Sequence, residues 1–220
     1  MYLFLLIGLI IGFILNFIIY VYCKDKLILK NLFSLKALKN KKLVIIVSVL
    51  NMIIYLLIYY RFNLSLYSFI CALIFSLLLC LSIIDLKIGI VPDSINILIF
   101  ILSIPVILIN REHIIYHIIG LFLISVPFFL IAVLTNGIGG GDIKLFAVTG
   151  LFLGALHIFL AMFFCCLLAS IIGLALKYTN KLNTKNNNSI PLVPYISIGV
   201  ILSTLYGDYI LNWYFSKFFY

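Results

Sequence analysis

Charge is what this chain of 220 residues has least of: 10% of its residues are Asp, Glu, Lys or Arg, and only six are acidic. A water-soluble domain of this size covers itself with charge, and a chain that is 66% hydrophobic has far too little polar surface to do so. The period-two alternation of a lipid-facing β-barrel is missing as well. Five cysteines are present (Cys23, Cys71, Cys80, Cys165 and Cys166), but none forms a C-x-x-C pair. Neither a disulfide framework nor a zinc site is indicated, and four of the five lie in apolar runs, where cysteine acts as a small hydrophobe.

What is present is a succession of long apolar runs. In hydrocarbon every backbone amide must be satisfied within its own segment, which selects helices. A helix needs roughly 20 apolar residues to cross. That ruler gives spans at about 2–22, 43–60, 65–84, 94–110, 114–135, 156–176 and 190–214, with a shorter one at about 143–155 needed for the parity of the loops. The expected fold is all-α and polytopic, about eight transmembrane helices in a single membrane domain over residues 1–220. The first run has no basic residue before it and no small-residue cleavage site after it, so it reads as a retained helix rather than a removed signal.

The positive charges orient this array. With the N-terminus outside, the inward loops are 23–42, 85–93, 136–142 and 177–189. These loops and their borders hold Lys24, Lys26, Lys30, Lys36, Lys39, Lys41, Lys42, Lys87, Lys144, Lys177, Lys181 and Lys185, against Arg61, Arg111 and Lys217 outside. The net charge of +9 invites a nucleic-acid reading. Seven of the lysines, however, crowd one short loop beside lipid, where they set topology and meet anionic headgroups, so no nucleic acid is expected. The segment 177–189 reads as a second polar loop on the same side.

Acids near a membrane are costly and therefore candidates for function. Asp25 sits among lysines, Glu112 adjoins Arg111, and Asp208 lies towards the outer end of the last helix. Asp85 and Asp142 differ from these, because each stands where an apolar run meets an inward loop, at the same expected membrane level. Two carboxyls that approach one another in a partly dry site cannot both ionise readily. One keeps its proton while the other accepts one, and together they can activate water against a peptide carbonyl. Gly139, Gly140 and Gly141 clear side chains from beside Asp142, which would admit an extended peptide and allow a strained turn into the next helix. The same glycines could cradle a phosphate, but no Lys-Ser or Lys-Thr pair follows them. The bland alternative is that Asp85 with Lys87, and Asp142 with Lys144, are only interfacial charges at helix ends.

Gly139-Gly140-Gly141-Asp142-Ile143-Lys144-Leu145 resembles the G-x-G-D-x-K-L signature of the type IV prepilin peptidases, the GxGD membrane aspartyl proteases. Gly150 and Gly154 fall where that family has a G-x-x-x-G stretch. The stretch from Asp85 to Val91-Pro92-Asp93 is similar to its first catalytic segment. Ile190-Pro191-Leu192-Val193-Pro194-Tyr195 resembles its late I-P-x-x-P-Y, and Gly12-Phe13-Ile14-Leu15-Asn16 a weakened form of an early motif.

The resemblance implies cleavage of the leader of type IV prepilins or pseudopilins at the inner face of the bacterial cytoplasmic membrane. It implies Asp85 and Asp142 as the catalytic pair and no metal or organic cofactor. Asp93 would support Asp85 or cap the fourth helix, and Lys144 and Lys87 would serve substrate or topology. Many family members also methylate the new N-terminus with S-adenosylmethionine and carry a zinc-binding insertion with paired C-x-x-C motifs between the first two helices. Here residues 23–42 form a short basic loop with Cys23 alone, too few thiolates for such a site, so methylation is not expected.

Two other classes compete. A small cation or proton transporter would place acids near mid-membrane on facing helices. A non-catalytic pilus or secretion scaffold would tolerate replacement of both aspartates. His113 and His117 share a helix face at the outer boundary and read as interfacial polar groups, while Asn16, Asn51 and Asn96 read as hydrogen bonds between helices. Pro105 and Pro127 are expected to kink their helices.

Overall fold

The computed structural model describes residues 2–23, 41–109, 111–135, 137, 139–179 and 191–218. Most of the basic loop 23–42 and of the polar loop 177–189 therefore lies outside the described residues, as do Asn136, Ile138 and Ile190. The described residues form eight α-helices: α1 Tyr2–Cys23, α2 Lys41–Phe62, α3 Leu66–Ile88, α4 Asp93–Ile109, α5 Ile114–Thr135, α6 Gly140–Leu153, α7 Ala155–Tyr178 and α8 Val193–Phe218. Six of them (α1, α2, α3, α5, α7 and α8) are long and apolar enough to cross a bilayer; α4 has 17 residues and α6 has 14. Their outward sides carry bare hydrocarbon, such as Leu6, Ile10, Phe13 and Ile14 on α1 and Phe122, Phe129 and Val133 on α5. Such surfaces are stable only against lipid, and the chain is an all-α polytopic membrane protein.

The helices divide into two compact units, Met1–Ile109 and Asn110–Tyr220. In the first, α1 packs on α2 and α3, and α3 on α4. Gly8 and Gly12, one turn apart, let α1 approach closely: a Cβ at Gly8 would lie 2.7 Å from the Tyr55 ring, and one at Gly12 2.7 Å from the Ser48 backbone. Close approach with small residues is how helices associate where lipid removes the hydrophobic drive. The Asn51 amide donates to the Gly8 carbonyl at 2.7 Å, and Ser76 of α3 donates to Asn51 Oδ1 at 2.8 Å, so one polar chain ties α1, α2 and α3. Asn16 does not follow the expectation: its amide turns back to the Gly12 carbonyl of its own helix, 2.8 Å away. Phe4 packs between Tyr55 and Phe69, and α3 supplies the core with Ile74, Phe75, Leu78, Leu81 and Ile84.

In the second unit α5 lies along α6 and α7, and α8 packs on α7 and α6. Gly120 of α5 and Gly150 of α6 meet backbone to backbone, with no room for a Cβ on either. Gly154, at φ 81°, ends α6 against the Tyr116 ring, and the Tyr116 hydroxyl accepts the Leu156 N–H at 2.6 Å. His117 is not an interfacial group; it is buried, with Nδ1 2.9 Å from the Leu151 carbonyl. Gly199 seats α8 against the Ala161 carbonyl of α7, and Ser203 donates to the His157 carbonyl at 2.6 Å.

Candidate active site

In the first unit the candidate residues gather at the α3–α4 hairpin. Ser65 opens α3 with a capping box, and the helix runs on through Asp85, Leu86 and Lys87 to Ile88. It is thus a turn longer than the apolar run, because hydrogen bonding continues past the point where hydropathy falls. The stop is Gly89, left-handed at φ 65° and ψ 27°, whose N–H closes on the Asp85 carbonyl at 2.8 Å. A Cβ on Gly89 would meet nothing within 4 Å, so glycine serves the backbone angle there and not the space.

Asp85 is therefore held on the last turn of a regular helix, and its side chain is 7% exposed. A carboxyl so withdrawn from water must be engaged or protonated. Lys87, two residues on, is exposed in the same turn, where a cation complements the helix C-terminus. Asp93 is exposed and is the first residue of α4, and the Pro92 carbonyl takes the Ile95 and Asn96 N–H groups. Tyr22 at the end of α1 shares a 2.5 Å hydrogen bond with Ser94, which ties α1 to the start of α4.

In the second unit Gly139, Gly140, Gly141, Asp142 and Lys144 form the first turns of α6. The expected loop up to residue 142 is replaced by helix from Gly140, with Gly139 as the N-cap at φ −67° and ψ 134°. Neither the cap nor Gly140 has a positive φ, so the strained turn expected at the glycines is absent. The Asp142 N–H reaches the Gly139 carbonyl at 3.1 Å, and a Cβ on Gly139 would sit 3.1 Å from Asp142 Oδ2. The glycine at 139 thus keeps the flank of the carboxylate clear. Gly140 faces open space, with nothing within 4 Å of a Cβ built there. Asp142 is half-buried in the first turn, where unpaired amides and the helix dipole favour a carboxylate; Lys144 is exposed.

One pairing escaped the sequence reading. His157 Nε2 of α7 lies 3.1 Å from Asp208 Oδ1 of α8, and Gly207 makes room for the imidazole ring. An acid inside a long apolar helix asks for a partner, but which partner is set by packing and not by spacing.

Asp85 is thus buried at a helix end in the first unit, and Asp142 is half-buried beside cleared glycines in the second. The family model of the type IV leader peptidases matches residues 72–174, a stretch that contains both aspartates. The prepilin leader peptidase/N-methyltransferase of Bacillus subtilis (strain 168) is 34% identical over 158 residues, covering 70% of this chain and 62% of that protein. The prepilin leader peptidase/N-methyltransferase of Legionella pneumophila is 35% identical over 77 residues, 34% of this chain and 26% of that protein. The chain thus spans less than two thirds of the length of either relative. No solved structure matches.

Proposed function

We propose that the chain is a membrane aspartic endopeptidase that removes the leader of type IV prepilins or pseudopilins at the cytoplasmic face of a bacterial inner membrane. Asp85 and Asp142 form its catalytic pair. The observation that carries this reading is that the matched family region contains both aspartates, each at a helix end and each drawn at least partly from solvent. The N-terminus lies outside and α3 and α6 present their aspartates inward, following the lysine-rich loops.

One carboxylate takes a proton from water as the water attacks the scissile carbonyl, while the other, protonated, hydrogen-bonds the carbonyl oxygen. The tetrahedral intermediate then collapses with proton transfer to the leaving amine. No covalent enzyme intermediate forms, and no metal or organic cofactor takes part. Gly140 leaves room for the extended substrate, Gly139 keeps the Asp142 flank free, and Gly141, Asp93, Lys87 and Lys144 support or contact the substrate. The single membrane domain cleaves without methylating, since the 23–42 loop offers Cys23 alone.

Incubating the purified chain with a type IV prepilin in detergent tests the reading. A shortened pilin band that disappears with Asp85→Asn is the expected result. An intact prepilin with the unaltered chain, or cleavage that survives Asp85→Asn, would overturn it. Proton or cation flux through the chain in vesicles, lost with the same variant, would instead favour a transporter.

A further inference from the structure

Among the described residues most buried polar side chains find hydrogen-bond partners, and Asn96 departs from this furthest. The buried hydroxyls of Ser82, Ser103, Ser125, Thr149, Ser197 and Thr204 all return a hydrogen bond to the carbonyl four residues back. Among the buried asparagines, Asn51 uses both ends of its amide, and Asn16 uses its NH2. Asn96 uses neither. It is 4% exposed, and both Nδ2 and Oδ1 lack a hydrogen-bond partner. Asn16 Oδ1 and Ser48 Oγ are also unpaired, but each is a single atom, whereas Asn96 leaves both ends of its amide unpaired.

The position of Asn96 gives this vacancy meaning. Helices α3 and α4 pack together and are joined by residues 89–92. Asp85 stands three residues before the last residue of α3, and Asn96 three residues after the first residue of α4. In such an antiparallel pair both side chains lie about 4.5 Å inside the helix ends, at one depth. Both are buried. A fully unsatisfied carboxamide at the depth of a buried carboxyl offers an NH2 donor and a carbonyl acceptor, which together complement a single peptide group: its carbonyl accepts from Nδ2 and its N–H donates to Oδ1. A peptide chain in lipid has the matching need, since unwinding the substrate for hydrolysis exposes amides that water cannot reach.

We propose that Asn96 is a substrate-binding residue that holds one backbone peptide group of the unwound substrate next to the scissile bond, in register with Asp85. The assignment rests on the peptidase reading above and adds what that reading lacks, a group that recognises the peptide backbone rather than a side chain.

The test uses the full chain in detergent and a synthetic prepilin segment spanning the leader junction. Binding is measured in the Asp142→Asn background, so that it does not depend on turnover. Asn96→Leu is expected to weaken binding about tenfold, the size of a lost hydrogen-bonded pair, while leaving the thermal unfolding midpoint unchanged or higher. Replacing backbone amides of the segment by esters, one at a time, should reveal one position whose replacement weakens binding to the Asn96 protein but adds nothing in Asn96→Leu.

Equal binding by Asn96→Leu, or ester effects that add in full in both proteins, would overturn the assignment. So would a lowered unfolding midpoint, which would mark Asn96 as a structural group. If the segment binds in an Asn96-dependent way and the wild-type chain does not cut it, the peptidase reading falls and the role of Asn96 in peptide binding stands. If the segment does not bind at all, both fall.

Discussion

Asn51 and Gly8 are joined across α1 and α2 by a 2.7 Å hydrogen bond from the asparagine amide to the glycine carbonyl, at a point where the glycine leaves no gap between the helices. The bond and the close approach depend on each other, and they do not contribute equally. Polar pairs between membrane helices are worth about 0.6 kcal/mol on average, because the unfolded chain in lipid also finds partners. Overpacking a tight contact costs about 1–3 kcal/mol. Gly12→Val, which drives a side chain into the Ser48 backbone, should therefore lower stability more than Asn51→Leu. Thermal unfolding of both variants in one detergent gives the order.

Removing either carboxylate should stop cleavage without removing the protein from the membrane. Asp85→Asn and Asp142→Asn keep the size of the side chain and lose its acid–base capacity, a contribution of about 10²–10⁴ in rate where a positioned group moves the proton. Initial cleavage rates on a prepilin, compared at equal amounts of extracted protein, report this. Exposed Asp93, replaced by Asn, should cost less than tenfold, roughly the effect of one supporting hydrogen bond.

Gly139 and Gly140 adjoin in sequence but should answer differently to alanine. At position 139 the new methyl would press on Asp142 Oδ2 from 3.1 Å, so the turnover number should drop with little change in substrate affinity. At position 140 the methyl meets nothing in the free protein, so folding should be unaffected and any loss should appear as a raised KM. Steady-state kinetics of the two variants separate the effects. An identical change in both would show that neither glycine acts in the stated way.

The His157–Asp208 contact should matter little to activity. Asp208 is 55% exposed in its side chain, and pairs of that kind contribute about 1 kcal/mol or less. Asp208→Asn should leave cleavage within about twofold of the parent, and a small shift in unfolding temperature is the largest effect expected. Loss of activity in this variant would assign the pair a part in the reaction that the present reading does not give it.

Hydropathy made the helices legible and left their ends misread, for one physical reason. A ruler of apolar length stops at the first charge, whereas a helix stops where its hydrogen bonds do. So α3 carries Asp85 and Lys87 inside its last turn and ends only at left-handed Gly89, and α6 begins at Gly140 rather than after Asp142. The glycines were read as loop because glycine is a poor helix former. In the first turn, however, the amides have no partner to lose, and Asp142 faces the positive end of the dipole.

Scarcity and the surrounding motifs made both aspartates candidates in the sequence, and burial of Asp85 could not be read there. The partners of His117 and His157 could not be read there either, nor the vacancy at Asn96, since each is set by which helix lies opposite and sequence spacing does not carry that. The same holds for Gly120 against Gly150, where two residues thirty apart in sequence share a single van der Waals boundary.

Helix α6 has one consequence of its own. Fourteen residues rise about 21 Å, while an undeformed hydrocarbon slab is about 30 Å thick. The two ends of α6 cannot both reach headgroup level unless the bilayer thins around them or solvent dips in by roughly 9 Å. Asp142 sits at one of those ends. The hydrolysis proposed for Asp142 consumes water, and a helix shorter than its slab brings the aqueous phase closer to that carboxyl.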